Sequence, residues 1–265
     1  MENNRAVSYT ISAIIITATT ISLVLVASIY AYQVLEQQRG ATEFDVTRES
    51  ILAFNDALEN IAWKPGAVSS SRFTIEYGYL QLVPNGNNII IEATVDGTTT
   101  TTLYSNTTGF MRYYLSNKYI SFGQGYHSYI LGNSSTLIVG STDSYGRAVI
   151  NQTTGWVTIT LDYRVRAMKT SVVQVDNVTV NYVDIWVIRF TTLVSQSWSY
   201  VHDFDLKARC LDIQTITKGP YDVPPNGNAA ISVQIGSEIS PTKNIPLEAG
   251  EVVFNVIVAE VQVSV

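Results

Sequence analysis

One stretch constrains this chain more than any other: no charged residue occurs between Arg5 and Glu36. The uncharged run from Ala6 to Leu35 is 30 residues long. A helix needs about 20 apolar residues to cross a bilayer, so the run suffices with a turn or two to spare. A cleavable secretory core of about 7–15 residues is a poorer match. The cleavage reading would use Val26-Ala27-Ser28 as its small-residue site. The short head, Met1 to Arg5, has a slight positive bias, which places the N-terminus on the cytoplasmic side and the bulk of the chain outside.

The run is rich in β-branched residues, with Ile14, Ile15, Ile16, Thr17, Thr19, Thr20 and Ile21 in close succession. In water such a segment favours a strand. In lipid or inside a bundle, the need to pair every backbone group favours a helix. Ser12, Ala13, Ala18, Ser22, Ala27, Ser28 and Ala31 are interleaved, and small side chains allow close helix–helix approach. A second amphipathic stretch follows directly. Val46, Ile51, Leu52, Phe54, Leu58 and Ile61 fall on or near one stripe, and Pro65-Gly66 ends it. Helix is therefore expected from about Ser8 to Ala62, with Gly40 and Asp45 as points of bending or interruption.

These residues carry a family resemblance. A short polar head ending in Arg5-Ala6, then Val7-Ser8, then a long Ile/Val/Ala/Thr helix resembles archaeal type IV pilins and their pilin-like relatives. The resemblance implies cleavage by a dedicated leader peptidase between Ala6 and Val7. It implies a leader at 1–6, a membrane and filament-core helix with its stalk at 7–64, and a β-rich extracellular head at 65–265. Ile11, Ile14, Ile15, Ile21, Leu23, Val24, Leu25, Ile29 and Tyr30 would pack the filament core. Copies of the same chain, the membrane before assembly and the pilus assembly machinery are the implied partners. Many family members carry an acidic residue five positions after the cut, where this chain has Ile11.

From Ser71 onward the hydrophobic period becomes two. "WVTITLDYRV" sets Trp156, Thr158, Thr160, Asp162 and Arg164 against Val157, Ile159, Leu161, Tyr163 and Val165, the signature of a half-buried antiparallel strand. Asp96-Gly97 marks a hairpin, and Pro84-Asn85-Gly86 and Pro225-Asn226-Gly227 mark further turns. Strands are expected near 72–83, 88–95, 98–104, 110–121, 136–140, 147–151, 155–166, 171–176, 178–191, 211–217, 229–235 and 251–264. The fold class is α+β: a long N-terminal hydrophobic helix, then an antiparallel β-sandwich head, or two small sandwiches with a boundary near Leu193 to Lys218. The apolar closing stretch "EVVFNVIVAEVQVSV" suits a central strand, or a strand inserted into a neighbouring subunit.

Little in the sequence points to catalysis. His127 and His202 are the only histidines, and His202 and Asp203 point to opposite faces of a strand. No nucleophile elbow, phosphate loop or zinc spacing occurs, so neither enzyme, metal nor cofactor is expected. Only 14% of residues are charged, against a usual share of roughly 25%. The net charge of −6, with no basic run, argues against nucleic acid as a partner. The single Cys210 is expected as a small buried hydrophobe. Asn106, Asn133, Asn151 and Asn177 begin Asn-x-Ser/Thr sequons, with Asn106 and Asn133 in turn-like contexts. The Tyr-rich stretch "YYLSNKYISFGQGYHSY" reads either as core and cross-strand pairing or as an adhesive or subunit-contact surface. Three functions follow: a pilin-like filament subunit serving adhesion or surface interaction, a permanently anchored β ectodomain acting as a binding or envelope protein, or a protein secreted after ordinary signal cleavage and joined by strand exchange.

Overall fold

The computed structural model describes residues 3–95, 97, 99–132, 136–193 and 197–265, with side chains described at Tyr9 and from Ile11 onward. The chain opens with one helix, α1 (Asn3–Ala62), of 60 residues. At 1.5 Å per residue it is a rod of about 90 Å. Gly40 and Asp45 do not interrupt it. No proline precedes Pro65, and Gly40 is buried where a Cβ would lie 2.5 Å from the Tyr119 ring. That glycine is therefore a site of close approach, and packing offsets its poor helix propensity. The helix stops where the Lys64 N–H bonds the Ile61 carbonyl and Gly66 takes a left-handed φ of 82°.

Thirteen strands follow among the described residues: β1 (Val68–Thr94), β2 (Thr100–Ser116), β3 (His127–Leu131), β4 (Ile138–Val139), β5 (Gly146–Thr153), β6 (Trp156–Tyr163), β7 (Val165–Val175), β8 (Val178–Thr192), β9 (Trp198–Val223), β10 (Asn228–Ile235), β11 (Glu238–Ile239), β12 (Lys243–Pro246) and β13 (Gly250–Ser264). They form one sheet in the order β3-β5-β6-β2-β1-β9-β13-β8-β7-β4, with β10 to β12 as a flap hung from β1. The expected sandwich is thus replaced by a single curled sheet. The curl closes where Arg189 Nε donates to the Thr107 carbonyl and the Phe190 N–H donates to Thr108 Oγ1, joining β8 to β2 across the interior. Nor is the sheet purely antiparallel: β13 pairs in parallel with β8, and β4 with β7.

Long, bent strands explain the difference. Pro84-Asn85-Gly86 is not a turn between strands but a bulge inside β1, opposite Gly109 alone, with Asn85 at φ 51°. Strands expected at 72–83 and 88–95 are one, as are those at 98–104 and 110–121, which together become β2 and stop at Ser116. By contrast, Pro225-Asn226-Gly227 is a turn, closed by the Gly227 N–H on the Pro224 carbonyl. The Asp96 half of the expected β1–β2 turn lies outside the described residues, as do positions 194–196 of the suggested domain boundary. β3 and the first half of β9 carry no clear period-two signal, and the structure adds both as strands.

Two cores share the long strands. The first joins Phe44, Ile51, Phe54 and Leu58 of α1 to β1, β2, β6 and the end of β13. Each such buried side chain contributes roughly 1.5–3 kcal/mol. The second has no helix residue, with Ile91, Ile185, Val233 and Phe254 among its most buried members. β13 is central, bounded by β8 and β9. Cys210 is buried, its Sγ 3.1 Å from the Ala62 carbonyl, and burial pushes its thiol pKa up. The strand "WVTITLDYRV" is largely buried on both faces, not half-buried, because Arg147 covers Asp162 from β5.

Candidate functional site

The helix divides into two unlike halves. From Gly40 onward, Phe44, Thr47, Ile51, Phe54, Asn55, Leu58 and Ile61 recur at helical spacing and are buried against the head. Val46, expected on this stripe, faces outward, and Glu43 takes part in the buried side instead. From Gln33 towards the N-terminus, every side chain described is exposed. Ile11, Ile14, Ile15, Ile21, Leu23, Val24, Leu25, Ile29 and Tyr30 are each 52–70% exposed. Ala6 and Val7 sit in the first turns of α1, where side chains lie outside those described.

The exposed half is more apolar than its sequence. Thr17, Thr19, Thr20, Ser22 and Ser28 each donate their hydroxyl to a carbonyl one turn back, at 2.7–2.9 Å. These hydroxyls are satisfied inside the helix and present mostly methyl and methylene surface outward. Ile11 to Gln33 spans about 35 Å, close to the hydrocarbon thickness of a bilayer. By length and composition α1 is the one helix among the described residues able to cross a membrane, and a signal sequence passes the same measure.

Carboxylates fasten the buried half to the head. Between Ile75 and Leu80, β1 bulges away from β9, four residues opposing Val201 alone. The freed N–H groups of Glu76 and Tyr77 donate to Glu43 Oε2 at 2.7 Å, and that of Gly78 to Oε1 at 2.9 Å. Tyr113 Oη donates to the same Oε1 at 2.7 Å. Burial, then the bond to Glu43, raises the Tyr113 pKa. Further along the helix, Glu59 accepts the Gly146 N–H at 2.9 Å and the Ser144 hydroxyl. At the shoulder, Glu36 accepts from Tyr119 Oη at 3.2 Å, and Gln37 donates to the Lys118 carbonyl at 3.2 Å. Sequence reading misses Glu43 and Glu59. The apolar stripe leaves Glu59 off its face, with Arg48, Glu49 and Asp56, and gives no sign of Glu43.

The remaining candidates separate widely. Asn106 lies within β2, exposed, its Oδ1 accepting the Thr107 N–H. Asn151 lies within β5, half-buried, with its Oδ1 2.6 Å from His127 Nδ1. Asn177 occupies the β7–β8 turn with Asp176, at φ 69° and 48°, and is exposed. Asn133 lies outside the described residues. His202 sits at φ 66° in β9, near the β1 bulge, and Asp203 bonds Arg72 at 3.2 Å. The Tyr-rich stretch is mixed: Tyr113 and Tyr119 are buried against α1, whereas Tyr114 and Tyr129 are half-exposed on the outer sheet.

No family model matches the chain. No curated protein matches it, and no solved structure matches it.

Proposed function

We propose that this chain is a type IV pilin-like structural subunit of an extracellular filament. The exposed half of α1 is the membrane store before assembly and the filament core after it. The curled β head forms the outer sheath and meets other surfaces. The observation that carries this reading is the contrast within one continuous helix. Over about 35 Å of it every described side chain is exposed, while roughly the next six turns are fastened into the head. A helix so fixed delivers its apolar surface to a partner as a rigid rod, and burial among like helices removes that surface from water. Copies of the chain, leader-peptidase processing between Ala6 and Val7, and the cell surface follow from the same reading. Of the four sequons, those at Asn106, Asn133 and Asn177 are the glycan acceptors it offers.

The second reading is a permanently anchored β ectodomain. The match between the exposed length and a bilayer favours it, because a lone span needs no helical partner. Intact mass and N-terminal sequencing of the chain from its native surface, with electron microscopy of sheared surface material, separates the two. A start at Val7 with the chain in filaments supports assembly. A start at Met1 or Glu2 with the chain confined to membranes supports the anchor. A start near residue 29 discards the helix and overturns both.

A further inference from the structure

The outer face of the sheet from β1 to β3 carries a second feature. Strand register brings its residues together. Gln81 opposes Arg112, Arg112 opposes Thr160, and Thr160 opposes Val149. One step along, Tyr79 opposes Tyr114, Tyr114 opposes Thr158, and Asn151 opposes both Thr158 and His127. Two neighbouring zones result.

The first zone is a polar cavity of about 200 Å³, walled at one end by the β10–β11 turn. Its floor is fixed. Arg147 is 4% exposed, bonds Asp162 through Nε at 2.8 Å and Nη2 at 2.6 Å, and bonds Glu238 of the flap. Burial opposes the Arg147 charge, but the two carboxylates outweigh it and hold its pKa up. The wall is less committed. Arg112 donates only its Nε strongly, to Thr160 at 2.8 Å, and lies 4.8 Å over the Phe110 ring. It enters no ion pair among the described residues. Asn151 offers its oxygen to His127, so its amide donors stay available.

The second zone is aromatic. Tyr79 and Tyr114 stack at 4.7 Å, and Trp156 meets both edge-on at 5.7 and 6.2 Å. Trp156 is 39% exposed. Tyr114 is two residues from Arg112 on the same strand face, a step of about 7 Å. An aromatic platform thus borders a polar cavity on one continuous face.

We propose that this face binds a neutral oligosaccharide. Sugar rings present an apolar C–H face that rests on aromatic side chains, and hydroxyls that planar polar groups such as guanidinium, carboxylate and amide engage in pairs. Charge selects against the alternatives. Two arginines face two carboxylates across the cavity, so the site carries no net charge to attract a polyanion. In this role Asn151 is a ligand group, and its half-buried position within β5 disfavours its use as a glycan acceptor.

The full chain in detergent micelles is applied to an array of neutral gluco-, galacto- and manno-oligosaccharides, with sulfated and sialylated glycans on the same surface. Retention by at least one neutral oligosaccharide is expected, weakened roughly tenfold or more by Arg112→Ala and by Trp156→Ala. Trp156 is at the exposed rim, so its variant keeps the fold, which thermal unfolding verifies. No retention on neutral glycans, preference for the charged ones, or binding unchanged in both variants overturns the proposal. The assay needs no filament. Its failure leaves the assembly reading standing, and a chain that never assembles still answers it.

Discussion

Removing the Glu43 carboxylate is the sharpest perturbation of the helix–head joint. Four donors converge on it, three backbone N–H groups and the Tyr113 hydroxyl. Glu76 is exposed and Tyr77 half-exposed, so their N–H groups turn to water when the acceptor is lost. Gly78 and Tyr113 are buried, and their donors are stranded. A stranded buried donor costs roughly 1–3 kcal/mol, so two of them cost about 4 kcal/mol in Glu43→Ala. Glu43→Gln keeps one oxygen and strands fewer donors, at about 2 kcal/mol. For a head of this size, 1 kcal/mol moves the Tm by roughly 2–4 °C, so Glu43→Ala lowers it by about 8–16 °C. Near-ultraviolet circular dichroism during thermal unfolding in detergent reads this directly. Tyr113→Phe in combination tests the coupling, because the double variant costs less than the sum of the singles. A Glu43→Ala shift under about 3 °C, or strict additivity with Tyr113→Phe, refutes the argument.

Other outcomes follow from the same structure. Gly40→Ala gains about 1 kcal/mol of helix propensity but drives a methyl into the Tyr119 ring, at roughly 1–3 kcal/mol, so net destabilisation is expected in thermal unfolding. Burial raises the pKa of Tyr145 to about 12 and also raises those of Tyr113 and Tyr163. Their stabilisation is whole below the unfolded value of about 10 and is lost as pH climbs through the folded values. Spectrophotometric titration should therefore show these phenols ionising together with unfolding, and separate, reversible ionisation in the folded head would contradict it. Val24→Arg places a charge on the exposed half of α1 at a cost of roughly 2.5–3.5 kcal/mol in a membrane, and fractionation should show less membrane-retained chain. If the chain is N-glycosylated, peptide mass mapping should find glycan on Asn177 at its turn and not on Asn151.

The helix and its two halves were legible because their signals are local. An uncharged run needs no knowledge of the fold, and the Ile51, Phe54, Leu58, Ile61 spacing already names a buried stripe. Errors arose where a single residue's side depended on a distant strand. Val46 is apolar yet outward, and Glu43 is acidic yet inward, because the β1 bulge needs an acceptor at Glu43. The paired face of Asp162 reads as solvent-facing until Arg147 and the Glu238 flap cover it. Proline and glycine at 84–86 read as a turn, although tertiary pairing with β2 carries the strand through as a bulge.

What the sequence alone determined is the division of labour along the chain: an apolar helix, a stripe that joins it to a head, and a head made of strands. Those properties come from residue type and period, which act within a few residues. What only the tertiary structure decided is how the strands close. One curled sheet with two cores, parallel pairing of β13 with β8, and the sheet face where Arg112, Asn151 and Trp156 meet all depend on register between segments far apart. A period of two says which side chains share a face, but not which strand lies beside it. That choice is made by the summed packing of both cores, which no single segment contains.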